Sequence, residues 1–139
     1  DCVWERFSHD ILLRSIKDLL SRSKDARIYM VAGLHTGRST LVHFFRHALA
    51  IGLCLVPVPP ADVWPTCPQE TTALPGSEHI MELEVGGTWD EHETPYLTGQ
   101  RRPFLLHRGS PDQEDEPIQV RNHWLTVSCM AWAATEATP

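Results

Sequence analysis

Apolar residues in the first third of the chain alternate between helical spacing and short continuous runs. Phe7, Ile11, Leu12, Ile16, Leu19 and Leu20 fall on one face of a helix over about 7–22. His9, Asp10, Arg14, Lys17 and Asp18 make its solvated side, with Ser8 as N-cap and Asp10 in the first turn, near the positive end of the dipole. Ser21 to Asp25 reads as a turn. The run Arg27 to Gly33 is apolar on both faces, as in a parallel strand covered by helices on each side. After Leu34-His35-Thr36-Gly37-Arg38 a second helix runs to about Ile51, with Leu41, Phe44, Phe45 and Ala48 as its buried stripe and Gly52 as its stop. Leu53 to Val58 is a further strand. Helix, strand, helix, strand predicts an α/β chain with a parallel sheet.

The middle has a different texture. Six prolines from Pro57 to Pro75 break regular structure, so Val58 to Gly76 reads as loop. His79 to Val85 predicts a strand with Met81, Leu83 and Val85 on one face and Glu82 and Glu84 on the other, closed by Gly86-Gly87. From Glu91 through Gln113 little is periodic, and Asp112 to Glu116 reads as a solvated acidic run. His123 to Trp132 alternates as a terminal strand, and Ala133 to Pro139 as a frayed tail. The sequence has no internal repeat. It predicts one domain over 1–139, with loop insertions at about 59–78 and 91–117.

Composition narrows the partners. A chain of 139 residues holds one domain with a real core. Its net charge of -6 argues against nucleic acid or anionic membrane as main partner. No apolar run approaches the ~20 residues of a bilayer span, and no basic-then-apolar leader opens the chain. The four cysteines are scattered without metal-ligand spacing, and three sit in apolar segments, which suits reduced thiols in a cytoplasmic protein. The chain starts at Asp1, directly at what reads as a structured element, which is the look of a fragment.

Four segments invite chemistry. Ala32 to Ser39 fits a loose phosphate-loop pattern between strand and helix, with Arg38 where the lysine belongs and Gly33 shifted by one. The strand that follows ends in Pro57-Val58-Pro59, without the acidic residue that would hold magnesium. His43 and His47, four apart on a helix, are a metal pair without a third ligand, and read as ordinary surface histidines. Arg101-Arg102 reads as a solvated basic pair. Asp1-Cys2-Val3-Trp4 is the fourth segment. If a strand ends there, Asp1 and Trp4 sit at the carboxyl rim where open parallel sheets bind ligands. A carboxylate orients an amine lone pair, and an aromatic face favours a cationic ammonium or sulfonium group.

Taken together, Asp1-Cys2-Val3-Trp4, His9-Asp10-Ile11-Leu12 and Val31 to Arg38 resemble the seven-strand (class I) S-adenosylmethionine-dependent methyltransferases of the lysine-methyltransferase-like, or nicotinamide N-methyltransferase-like, family. The likeness runs over Asp1 to Val58 and, more weakly, over His79 to Gly87 and Arg121 to Trp132, the last looking like the closing antiparallel strand of that fold. It implies a partial Rossmann-like sheet, strands four to seven with intervening helices, in which Asp1 to Val3 ends strand four. It implies Asp1 and Trp4 as catalytic residues of the methyl-transfer pocket, with Trp4 where the wider family more usually has Tyr. His35 and Arg38 would bind substrate at the far wall. The reaction implied is N-methylation of an amine, on a protein lysine or a small molecule, with S-adenosyl-L-methionine as cofactor. The glycine-rich loop that grips the cofactor is missing from these residues, so the chain alone is expected to bind it weakly and to be inactive. A phosphate-loop nucleotide-binding module and a non-catalytic α/β interaction domain are the alternatives. Oligomeric state is open, with an uncovered sheet edge favouring self-association.

Overall fold

The computed structural model describes residues 2–60, 63, 74–87, 92–106, 108–109 and 115–137. The first helical pattern forms in two pieces, a 3-10 turn over Arg6–Ser8 and helix α1 over His9–Leu19. Ser8 takes the N-cap position without capping, because its hydroxyl turns back to donate to the Glu5 carbonyl at 2.8 Å. The buried stripe of α1 is rotated from the expected one. His9 and Leu13 are buried, whereas Phe7, Ile11 and Leu19 are 77%, 67% and 86% exposed. His9 belongs inside because both of its ring nitrogens find partners there, as described below.

Strand β1, Ile28–Gly33, leads through a four-residue bend into helix α2, Arg38–Ala50, and then strand β2, Leu53–Val56. Gly52 stops α2 as expected, at φ 98°, a left-handed backbone that favours glycine. Beyond the proline-rich stretch come strands β3, Met81–Gly86, and β4, Tyr96–Pro103. A short helix α3, Ile118–Arg121, precedes strand β5, Trp124–Trp132. Neither β4 nor α3 was expected. β4 lies at a sheet edge with Tyr96 and Leu97 more than half exposed, so it carries no alternation of burial for the sequence to display.

The sheet corrects the expectation of a parallel, Rossmann-like order. Every strand pairing is antiparallel. β1 lies along one edge of β5, from Ile28 opposite Met130 to Gly33 opposite Leu125. On the other edge β2 pairs with Cys129 to Trp132 and β3 with Trp124 to Val127. β1, β2 and β3 therefore point the same way, but the slot between β1 and β2 is filled by β5. Residues 2–5 form bends and no strand, so a strand ending at Asp1 to Val3 is not present among the described residues; Asp1 lies outside them.

The core sits between α1, α2 and one face of the sheet. Phe44 and Phe45 are fully buried against a face that includes Ala32, Met130, Trp132, Leu53 and Leu55, with Ile28 and Met30 packed beside it. The end of the chain is tied down rather than frayed over residues 133–137. The Ala133 N–H donates to the Gly52 carbonyl at 2.8 Å, and Glu136 pairs with Arg22 at 3.4 Å. Arg22 lies 3.8 Å over the Trp132 ring, and Trp132 Nε1 donates to the Ser21 carbonyl at 2.8 Å. Among the described residues no helix is long and apolar enough to cross a membrane.

β1 ends the sheet with no charged residue and no proline, and Tyr29 and Val31 are exposed on it. Converting both to Lys is expected to shift unfolding free energy by less than ~1 kcal/mol, since both are surface positions. It should also reduce concentration-dependent association in light scattering, and equal association of both proteins would clear this edge.

Candidate functional site

The bend between β1 and α2 is where a ligand rim was expected. Its chain turns through Leu34, which is buried, to Gly37, whose N–H donates to the Leu34 carbonyl at 3.1 Å. Gly37 has φ 89°, and a Cβ there would come within 2.6 Å of Arg121 Nη1 and 3.4 Å of Asp115 Oδ2. Glycine is thus needed both for the backbone and for the approach of these two side chains.

Arg38 opens α2 with its side chain fully buried. Its Nε donates to Glu82 Oε2 at 2.8 Å, and its Nη2 donates to Glu82 Oε1 at 2.6 Å and Glu116 Oε1 at 2.8 Å. Its Nη1 bonds Asp115 Oδ1, and its backbone N–H donates to Asp115 Oδ2 at 2.7 Å. Arg102 closes the cluster from β4, donating to Glu82 at 2.7 Å and to both oxygens of Glu116. Arg108 and Arg121 stand at its margin, 3.7 Å from Glu82 and 3.8 Å from Asp115. Arg102 also lies 3.8 Å over the Trp124 ring.

Electrostatics follow from this geometry. Burial alone would make the Arg38 guanidinium easier to deprotonate. The bonds and charges of Glu82, with Asp115 and Glu116, outweigh that and fix its charge. Burial pushes the Glu116 carboxyl up, but hydrogen bonds from Arg102 and Arg38 prevail and hold it below the usual carboxylate range.

The cluster revises several expectations. Arg38 presents no free group to a substrate, because its donors are spent on the chain's own carboxylates. The anion-binding end of α2 is filled by Asp115, so a phosphate finds there a carboxylate instead of open N–H groups. Space beside the two glycines is also taken, since a Cβ at Gly33 would come 2.8 Å from His35 Nε2. The bend does not fit the phosphate of a nucleotide. Glu82, expected on the strand face opposite Met81, Leu83 and Val85, is fully buried; Asp115, Glu116 and Arg102, expected in solvent, are its neighbours. Asp112 and Glu114 lie outside the described residues.

Of the other candidates, Asp1 lies outside the described residues and Trp4 is 49% exposed. His35 is exposed, with Nδ1 a long 3.5 Å from Asn122 Oδ1. Trp4 and His35 face solvent while Arg38 faces the interior. The opening quartet is nevertheless joined to α2: the Val3 carbonyl accepts from His9 Nε2 at 2.9 Å, and His9 Nδ1 meets His43 Nδ1 at 2.8 Å. The rings of His43 and His47 are in tilted contact with centroids 4.1 Å apart, and no group of three His, Cys, Asp or Glu among the described residues is arranged to hold a metal.

Glu82→Ala leaves the buried guanidinium of Arg38 and the half-buried one of Arg102 short of a carboxylate and is expected to destabilise by ~3–5 kcal/mol, against a few tenths for Glu84→Ala, in denaturant unfolding. Because the Glu116 carboxyl is depressed on folding, its contribution is full above the ordinary carboxylate range and lost as pH falls through its folded value. Acid lowering of the melting temperature should therefore be shallower in Glu116→Gln than in the parent.

No protein-family model, no curated protein and no solved structure matches this chain.

Proposed function

We propose that this chain forms the amine-facing side of an S-adenosylmethionine-dependent N-methyltransferase, and that its described residues do not grip the cofactor. The reading rests on the resemblance of the Asp1 to Trp4 quartet and the Gly33 to Arg38 bend to that family. The observation that carries it is the Val3–His9–His43 chain of hydrogen bonds. It joins the quartet to the helix that leaves the bend, so the two segments belong to one assembly. A second support is β5, an antiparallel strand over the residues where the resemblance calls for a closing one.

In this reading the Asp1 carboxylate accepts a hydrogen bond from the substrate amine and orients its lone pair, while the Trp4 face holds the charged group nearby. His35 lines the solvent side. Arg38 acts in place, holding the bend through Glu82 and Asp115, and is not a substrate ligand. A protein lysine and a small amine remain the two substrate classes. A nucleotide-binding module is disfavoured by Asp115 at the α2 N-terminus. The non-catalytic alternative, an interaction domain, draws on one observation, the exposure of Phe7, Ile11 and Leu19 along one helical stretch.

The test uses the gene product that carries these residues, incubated with tritiated cofactor and either protein extract or a panel of small amines. Label transfer is expected, reduced on the order of 100-fold by Asp1→Asn and by Trp4→Ala through lost positioning. No transfer to any amine, or transfer indifferent to both substitutions, would sink the reading. The 139-residue chain alone is expected to bind the cofactor with Kd weaker than ~1 mM in calorimetry.

A further inference from the structure

Three histidines run from the interior to the surface between α1 and α2. His9 is fully buried, its ring edge-on to Phe44 with centroids 5.4 Å apart. Its Nε2 lies 2.9 Å from the Val3 carbonyl and its Nδ1 lies 2.8 Å from His43 Nδ1. His43, half-buried, lies in tilted ring contact with His47, whose Nδ1 is 3.3 Å from Asp10 Oδ1.

Counting protons fixes how this ladder behaves. A carbonyl only accepts, so His9 Nε2 carries a hydrogen and its Nδ1, in the neutral ring, is bare. The single hydrogen between the two Nδ1 atoms must then sit on His43, leaving His43 Nε2 bare. One added proton goes to that outer nitrogen and the contact survives. A second has only His9 Nδ1 to occupy, and two N–H groups on two cations would then face each other across 2.8 Å.

We propose that this ladder is an acid-sensitive latch, fastening residues 2–8 to α2 while the His9–His43 pair carries at most one extra proton and releasing them when both rings are charged. The groups facing His43 set the direction. Burial comes first, then His47, His9 and Arg6, all opposing its protonation, with Asp10 alone favouring it. Arg14 and Lys17 line the groove beside His47, together with Asp10. With the His43 value lowered on folding, the unfolded chain takes the proton first. Stability linked to His43 is therefore full above the ordinary histidine range and declines as pH falls through it, and the contact itself opens at the second proton.

Nitrogen-proton NMR of the histidine rings at pH ~8 tests the proton count directly. His43 is expected in the less common Nδ1–H tautomer and His9 in the Nε2–H tautomer; the reverse assignment overturns the proposal. Amide protection factors over residues 3–9, taken against the intrinsic rate at each pH, are expected to fall on acidification, by up to about tenfold per pH unit for each proton taken up. In His43→Asn a side-chain amide donates to a bare His9 Nδ1 and, turned over, accepts from a protonated one, so protection factors there should stay flat. Equal acid loosening in this variant and the parent would also overturn it. If the variant fails to fold, the tautomer measurement on the parent decides alone.

Discussion

Arg38 holds a full positive charge in a place that water does not reach. A lone guanidinium there would be costly, so the structure is obliged to bring carboxylates to it from distant parts of the chain. Glu82 arrives from β3, and Asp115 and Glu116 from the segment before α3, while Arg102 of β4 shares the same oxygens. Three stretches of backbone are thereby fixed around the start of α2. Such a cluster contributes less to net stability than its number of bonds suggests, because desolvation offsets much of the attraction. Its value lies in geometry: strands β3 and β4 meet the helix layer in one arrangement, since any other leaves a buried charge unpaired.

The same cluster explains which parts of the architecture were legible in the sequence. β1, α2, β2 and β5 show in the pattern because each buries an apolar face, and burial writes itself locally as alternation or helical spacing. Which strands are neighbours is not written locally. The runs at Ile28–Gly33 and Leu53–Val56 look like adjacent parallel strands, and only the nine-residue reach of β5 reveals that it bonds to both. Glu82 and Glu84, alternating with apolar residues, look like one wet face. Nothing nearby signals that Glu82 meets an arginine 44 residues away, or that Asp115 meets the same arginine from 77.

Candidate chemistry was legible to a similar, partial degree. The bend was recognisable as a strand-to-helix turn carrying a basic residue, and the structure places it so. Its use was misread, because an arginine beside glycines at a helix start has the same local sequence whether it awaits a ligand or already holds the chain's own carboxylates. His9 was misplaced for a related reason. Histidine belongs on a solvated face unless both nitrogens are satisfied inside, and its partners, the Val3 carbonyl and His43, come from outside its own helix. Trp4 is 49% exposed, and its neighbour Asp1 lies outside the described residues.

β2 and β3 lie end to end along a single edge of β5, as one strand interrupted by the proline-rich stretch. Their alignment is set by β5 and not by what joins them. The ends of that stretch are therefore already held in position before its length matters, and lengthening a loop costs only a slowly growing closure entropy. The molecule thus has a natural splice point: a peptide inserted between the buried Val58 and Leu74, with both kept, leaves strand register intact at little expense to the fold.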